Sequence, residues 1–290
     1  MKNKLTIAQA LKWGRQKLIS SSTSADLDTE VLLMFVLKKD RSFLFTHPEK
    51  ILTPTQSKKL ITLIRRRAQN WPVAYLTGEK NFYNLTFKVN QNVLVPRPDS
   101  ELLVTEVISQ IKSQAKNKNL ILFDIGTGSG CLPIAINKNI VPLHLPTFAT
   151  DISPVALIVA KKNSQLNKIK IKFFLGDLLT PLKKVMAKNL DSFFLITANL
   201  PYLTPKQLKE KSIQKEPHQA LDGGREGLFF YRRFLKQIKQ NRLKQGIVFL
   251  EIDPDQEKKI KLLIKKILPT TQVEFKKDLA KLTRLVMITI

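Results

Sequence analysis

Apolar and polar residues follow three successive rhythms along this chain, and each change of rhythm marks a boundary. At first, apolar residues recur every three to four positions, the spacing of one helix face. Ile7, Leu11 and Leu18 form such a stripe, and Thr6 with Gln9 ahead of it makes a capping box. Leu27, Val31, Met34 and Phe35 form a second stripe, with Ser24 or Asp26 as its cap. Phe43 to Phe45 reads as a short aromatic bridge. A further helix begins at Thr53-Pro54, with proline in the first turn, Gln56 completing the box and Leu60, Leu63 and Ile64 facing inward. Trp71-Pro72 closes this stretch, so residues 1–72 read as a small helical domain. Nothing in it suggests chemistry, and a module that grips a partner is the expectation.

Between Ala74 and Val95 the period becomes two, with Leu85, Phe87 and Val89 alternating against Thr86, Lys88 and Asn90. This predicts a β-hairpin linker over residues 73–97. A helix bearing Val104, Val107, Ile108 and Ile111 follows. From Leu120 onward strand and helix alternate, the signature of a doubly wound parallel sheet. Strands are predicted at 120–125, 147–150, 171–175, 193–198 and 247–252, with helices at 154–167 and 228–241 among the connections. The last two strands, 273–275 and 285–290, have no helix between them, so one antiparallel strand should enter the sheet. Residues 98–290 therefore read as an α/β, Rossmann-like domain preceded by the helical domain and the hairpin linker.

Composition narrows the function classes. The 290 residues are 43% hydrophobic, enough for two cores. A single cysteine excludes a disulfide framework and fits a reducing compartment. The three histidines, His47, His144 and His218, lack metal-ligand spacing, and no metal is expected. The net charge of +26 favours polyanionic or ribosome-associated partners. Its lysines are spread along the chain, however, and Arg65-Arg66-Arg67 fits the carbonyl end of a helix. Direct nucleic-acid recognition is therefore not the favoured reading. No apolar stretch approaches the ~20 residues of a membrane span. Lys2 and Lys4 lead into an amphipathic segment unlike a signal-peptide core, so a cytoplasmic, monomeric protein is expected.

Four strand ends carry candidate chemistry. Asp124-Ile125-Gly126-Thr127-Gly128-Ser129-Gly130 ends one strand and opens a helix, where glycines let backbone N–H groups approach a ligand. Its G-x-G-x-G spacing differs from the dinucleotide and Walker loops and favours S-adenosylmethionine over NAD or ATP. Asp151 ends the next strand, where it suits either ribose hydroxyls or a helix cap before Pro154. Gly176-Asp177-Leu178 suits an adenine edge, or simply a turn. Asn199-Leu200-Pro201-Tyr202 follows the apolar strand 193–198 and sits where open α/β sheets bind ligands. Cys131 and Ser129 have no base placed beside them by sequence, and His218 reads as exposed.

Taken together, these residues resemble the class I methyltransferases that modify planar nitrogens, which carry (N/D)-x-P-Y after the fourth strand. More narrowly, the chain resembles the peptide chain release factor glutamine N5-methyltransferases, the PrmC or HemK family, nearly end to end. The more specific stretches are Leu94-Val95-Pro96-Arg97-Pro98-Asp99-Ser100-Glu101 and Glu216-Pro217-His218-Gln219-Ala220-Leu221-Asp222-Gly223-Gly224. The chain departs from the family at Leu200, where Asn-Pro-Pro-Tyr has proline; ribosomal RNA adenine dimethyltransferases also carry Asn-Leu-Pro-Tyr.

The resemblance implies methyl transfer from S-adenosylmethionine to the glutamine of a Gly-Gly-Gln loop in release factors. It implies that Gly126, Thr127, Gly128, Ser129 and Gly130 hold the methionine end, Asp151 the ribose, and Asp177 with Leu178 the adenine. Asn199 and the Leu200 carbonyl would accept the two amide hydrogens, Pro201 fix the turn and Tyr202 pack on the amide. Residues 216–224 would shape the approach, and Arg97 and Phe82 would cover the site. Two rivals stand beside this: an RNA or DNA adenine-N6 methyltransferase using the same tetrapeptide, and a basic ribosome-binding module whose site has decayed.

Overall fold

Both capping boxes form as the sequence predicts, and they start the first and fourth helices of a computed structural model that describes residues 5–114 and 119–290. Lys2 and Lys4 lie outside the described residues. Helix α1 (Ile7–Leu18) opens where the Thr6 hydroxyl accepts from the Gln9 N–H at 3.2 Å and the Gln9 amide accepts from the Thr6 N–H at 3.0 Å. Helix α2 (Ala25–Leu37) begins without a side-chain cap. The hydroxyls of Ser22 and Ser24 donate instead to Asp28, at 2.6 and 3.2 Å, and Asp26 lies inside the first turn.

The buried face of α2 also differs from the predicted stripe. Leu32, Leu33 and Val36 point inward, whereas Leu27 is exposed. Internal ion pairs are the reason: Asp28 meets Arg67 at 2.7 Å and Glu30 meets Arg41 at 2.7 Å, so acidic residues share the inner face. Arg67 is therefore tied within the helical unit, and the Arg66 guanidinium lies 4.1 Å from the Trp71 ring. The aromatic bridge is helical, α3 (Arg41–Thr46), with Asp40 accepting from the Phe43 N–H at 2.9 Å. Helix α4 (Pro54–Ala68) follows as predicted, and α5 (Val73–Thr77) occupies the start of the predicted hairpin. Ile7, Leu18, Leu33, Leu44, Leu60 and Ile64 are among the core residues of this unit, which spans residues 1–79 and 210–215.

The second unit contains residues 80–209 and 216–290. Its hairpin pairs β1 (Glu79–Phe82) with β2 (Leu85–Lys88) through Tyr83-Asn84, both with positive φ, as a tight two-residue turn requires. Phe82 and Phe87 are buried against each other, 6.1 Å between ring centres. Phe82 is thus a core residue and not part of a cover for the site.

After a 3-10 turn at Pro98–Ser100 come α6 (Glu101–Gln114), β3 (Leu120–Ile125), α7 (Cys131–Asn139), β4 (Thr147–Asp151), α8 (Pro154–Leu166) and β5 (Lys172–Leu175). Then follow α9 (Lys183–Ala187), β6 (Phe193–Ala198), α10 (Phe229–Asn241), β7 (Gly246–Glu251), α11 (Glu257–Ile267), β8 (Gln272–Lys277) and β9 (Thr283–Thr289). These strands form one sheet in the order β5-β4-β3-β6-β7-β9-β8. Strand β9 runs antiparallel to both neighbours, as the terminal hairpin predicts, and the other pairings are parallel.

Strands β3, β6 and β7 are buried along their whole length, as a parallel sheet covered on both faces requires. Along β3 the sides alternate: Leu120 and Leu122 join the core with Val104, Val107 and Ile134, while Ile121, Phe123 and Ile125 join Phe234, Leu235 and Ile264. Asn163 on α8 ties three segments together. Its amide accepts from the Lys88 N–H at 2.7 Å and donates to the carbonyls of Lys88 at 2.9 Å and Ser129 at 2.8 Å. Replacing Asn163 by Ala removes these three hydrogen bonds, of which the one to Ser129 is buried. It should cost about 1–3 kcal/mol, the scale of leaving one buried polar group unsatisfied, read as a lower urea midpoint with an unchanged slope.

Candidate active site

The sheet changes winding direction between β3 and β6, and two functional stretches emerge at that point. From β3 the chain proceeds outward through β4 to β5, then returns to pair β6 with β3 on the other side. Such a switch point opens a crevice at the carboxyl ends of the strands. The parallel register pairs Ile125 with Ala198, so the glycine loop and the tetrapeptide begin side by side. They line a common cavity enclosing about 1100 Å³ including its open mouth.

The loop is anchored from below and open above. The N–H groups of Gly126 and Thr127 both donate to the Thr150 carbonyl at 2.9 Å, and the Gly128 N–H donates to Asp151 Oδ2 at 2.8 Å. Gly128 has φ +54 and nothing within 4 Å of where a Cβ would stand, so its backbone is bare toward the cavity. Asp151 also accepts from the Ser153 N–H at 2.8 Å, while Ser153 caps α8 through the Ala156 N–H. Asp151 is thus a clip for the loop as well as a wall of the cavity, and burial raises its carboxyl above the ordinary value. Behind the loop, Asp124 Oδ1 accepts from the Thr197 hydroxyl at 2.6 Å. Its Oδ2 is buried without a partner, as is the Thr127 hydroxyl that lines the cavity. Burial pushes the Asp124 carboxyl up to about 6.

These features fit S-adenosylmethionine. An unpartnered hydroxyl and bare loop backbone suit its amino-acid end. Asp151 stands where ribose hydroxyls fall in doubly wound folds. Leu178, Ile152 and Phe230 supply apolar walls, and Asp177 lines the same cavity while accepting from Arg233 at 2.9 Å and Gln237 at 3.0 Å.

The tetrapeptide is fixed from several sides. Asn199 Nδ2 donates to the Ser100 hydroxyl at 3.2 Å, which turns Oδ1 the other way. The Leu200 side chain is buried in the core next to Gly126. The Tyr202 carbonyl accepts from Gln256 Nε2 at 3.0 Å, and its hydroxyl donates to Glu251 Oε1 at 3.5 Å. A Cβ on Gly227, whose φ is +70, would stand 2.2 Å from the Tyr202 oxygen, so glycine is required for this close approach. Leu203 N–H donates to Leu221 O and Gly223 N–H to Leu203 O, both at 2.9 Å, joining this strand end to residues 216–224. Glu216, buried, accepts from the Val95 N–H at 3.0 Å and from the Arg97 guanidinium. The two most family-specific stretches of sequence therefore meet each other.

Of the predicted site residues, Gly126, Thr127, Gly128, Ser129, Asp151, Asp177, Leu178, Asn199, Leu200 and Pro201 line the cavity. Gly130 and Tyr202 do not: Gly130 is the N-cap of α7, and the Tyr202 ring packs against the core. Burial raises the Tyr202 hydroxyl above its ordinary value, so it stays protonated. Cys131 lines the cavity with its thiol pushed up to about 12 by burial, hence inert. His218 is exposed, 3.9 Å from Asp222. Among the described residues no His, Cys, Asp and Glu cluster could hold a metal, and no helix is long and apolar enough to cross a membrane. Ser100, Phe230, Glu251 and Gln256 were not singled out from the sequence; of these only Ser100 lay in a quoted motif.

The sheet order, its single antiparallel strand and the glycine loop at the switch point define the class I methyltransferase fold. A family model for the PrmC N-terminal domain matches residues 9–78, and one for ribosomal protein L11 methyltransferase (PrmA) matches residues 104–200. The release factor glutamine methyltransferase of Bacillus cereus is 33% identical over 97% of this chain and 98% of its own. That of Coxiella burnetii is 34% identical over 98% of each. The solved hMettl16 catalytic domain, in complex with MAT2A 3′UTR hairpin 6, is 14% identical with a TM-score of 0.53 over 83% of this chain and 84% of that one, a likeness of fold. The chain belongs to the release factor glutamine methyltransferase family.

The buried Asp124 carboxyl gives a test of the loop's electrostatics. Its native value of about 6 lies above the ordinary 3.8, so the folded protein keeps a proton that the unfolded chain releases. The native state is then favoured at low pH, and this stability is lost as pH rises from about 4 through about 6. The loss is on the order of 3 kcal/mol, at ~1.4 kcal/mol for each tenfold change in proton affinity. Asp124→Asn should remove it, so the unfolding free energy of the variant minus that of wild type should rise by about 3 kcal/mol over that window in ligand-free urea titrations.

Proposed function

We propose that this chain transfers the methyl group of S-adenosylmethionine to the side-chain amide nitrogen, N5, of the glutamine in the Gly-Gly-Gln motif of translation termination release factors. The observation that carries this reading is the convergence of the glycine loop and Asn199-Leu200-Pro201 on one cavity at the β3–β6 switch point. The cofactor supplies a methyl group on a sulfonium leaving group. Thr127, Gly128 and Ser129 bind its methionine end, Asp151 its ribose, and Asp177 with Leu178 its adenine.

An amide nitrogen is a poor nucleophile because its lone pair is delocalised into the carbonyl, so orientation carries the catalysis. With Nδ2 committed to Ser100, Asn199 presents Oδ1 as an acceptor for one amide hydrogen. The Leu200 carbonyl accepts the other, and the lone pair is aimed at the methyl carbon. Two oxygens around the nitrogen also favour the positive charge that develops there. Pro201 holds Leu200 in an extended conformation. Tyr202 works from behind, where its carbonyl on Gln256 and its buried ring hold the turn. No general base is required, since the substrate nitrogen becomes acidic once methylated.

In this reading the helical N-terminal unit docks the release factor, and a monomer acts in the cytoplasm. The +26 charge assists encounter with ribosome-associated partners without reading nucleic acid itself. Radiolabelled S-adenosylmethionine offered with release factor should label the protein, and a release factor with Gln→Ala in its Gly-Gly-Gln loop should stay unlabelled. Label in ribosomal RNA or DNA, and none in release factor, would overturn the proposal in favour of adenine methylation. Asn199→Ala should lower kcat about 10²–10³-fold, the scale of removing one transition-state hydrogen-bonding group, while calorimetry finds cofactor affinity within a few-fold of wild type.

A further inference from the structure

The Asn199 amide works in one orientation only, since reversing it would point an NH₂ group at the substrate nitrogen. Ser100 supports the working orientation by accepting from Nδ2 at 3.2 Å. Ser100 is itself buried, and having accepted that bond it retains one proton to donate. Behind the pair lies Glu251, the last residue of β7, also buried. The Tyr231 hydroxyl donates to the Glu251 main-chain carbonyl, which fixes the backbone there. Glu251 Oε1 accepts from Tyr202 at 3.5 Å, and Oε2 is buried with no hydrogen-bond partner. Ser100 and Asn199 are the side chains whose donors, when turned to this carboxyl, hold it ionised. A carboxyl oxygen left bare beneath the reacting tetrapeptide calls for an explanation.

We propose that Glu251 is a positioning residue for the methyl transfer: as a carboxylate it accepts a hydrogen bond from the Ser100 hydroxyl, and thereby holds the Asn199 amide with its oxygen toward the substrate. This rests on the role given to Asn199 above. The polarity of the relay depends on charge. Ionised Glu251 can only accept, so Ser100 donates to it and accepts from Asn199 Nδ2. Neutral Glu251 can donate to Ser100, which frees the serine proton to turn to Asn199, and the amide can then present Oδ1 inward and NH₂ outward.

The groups facing Glu251 set where this reversal falls. Burial is the largest influence and raises the carboxyl to about 7. Asp99, in the turn before α6, raises it further, and Arg284 on β9 pulls it down. Tyr202, and Tyr231 on α10, are themselves held protonated by burial, as is Cys131 on α7. Asp253, two residues beyond, adds negative charge near both tyrosines. Activity should therefore have an acid limb near neutrality even though no acid or base takes part in the transfer.

The test is the pH profile of kcat on release factor, for wild type, Glu251→Gln and Ser100→Ala. Wild-type kcat should fall about tenfold per pH unit below an apparent pKa near 7, with KM for release factor within about twofold. Glu251→Gln should lose at least tenfold in kcat at pH 8.5 and have no acid limb, while calorimetry still detects cofactor binding. Ser100→Ala interrupts the relay without touching the carboxyl and should also flatten the limb; it decides the matter if Glu251→Gln does not fold. A wild-type acid limb retained in either folded variant would overturn the inference and leave the proposed function standing. Absence of release factor methylation by wild type at every pH would overturn both.

Discussion

The parallel pairing of β3 with β6 is the constraint on which the rest depends. Two wholly buried runs, Leu120–Ile125 and Phe193–Ala198, lie side by side over their full length, about 5 Å apart as neighbouring strands are. Their shared register delivers Gly126 and Asn199 to the same edge of the sheet. A slip of one residue would turn Phe123 and Phe194, now stacked at 5.2 Å, toward opposite faces and carry the loop away from the tetrapeptide. Apolar packing therefore enforces the register, and the register places the chemistry. The polar links at this edge, from Thr197 to Asp124 and from Asn199 to Ser100, then refine positions that the core has already set.

The sequence made legible what depends on local pattern. The buried strands stood out as apolar runs, both capping boxes formed where they were read, and the terminal pair of strands announced the antiparallel member of the sheet. Predictions failed where distant residues decide a local question. Helix α2 turned a different face inward because Arg41 and Arg67 neutralise Glu30 and Asp28 from other helices, which a hydrophobic pattern cannot register. Phe82 looked like a cover for the site while its burial against Phe87 existed only once the hairpin had closed. At the site, the residues lining the cavity were readable because glycine spacing and strand ends are local signals. Their supports, Ser100, Glu251, Gln256 and Asn163, were not, since each reaches across tens of residues to backbone or side chains that only the fold assembles.

Leu200 shows how a family position can change without disturbing what it serves. Its side chain is 2% exposed and sits in the core that also receives Ile125, Ala198 and Leu228. In the proposed reaction the substrate meets the backbone carbonyl of this residue, not its side chain. Proline would supply a stiffer backbone, whereas leucine supplies more buried apolar area, worth roughly 1.5–3 kcal/mol when fully enclosed. The stiffness lost is restored by Pro201 on one side and by the β6 ladder on the other. Asn-Leu-Pro-Tyr is therefore compatible with an amide substrate, and the tetrapeptide alone is a poor guide to what is methylated.

The site also runs against the charge of the chain. A protein of net +26 gathers Asp151 and Asp177 in the cavity wall, with Asp124 and Glu251 buried behind it and Glu216 paired to Arg97 at its rim. The basic surface is solvated and screened within about 8–10 Å at physiological salt. The enclosed carboxyls are not, so the local field inside is set by a handful of acids and not by the lysine excess outside. Such a field suits a ligand that carries a sulfonium before the reaction and a neutral thioether after it, because attraction is strongest before transfer and weakest when the spent cofactor must leave. Burial raises several of these acids toward neutrality, and that is the counterweight: a fully ionised cluster would bind the cation more tightly but would cost more to fold. The balance between those two demands fits the arrangement: Asp151 and Asp177 in the wall are hydrogen-bonded, while Asp124 and Glu251 behind it each keep one bare oxygen.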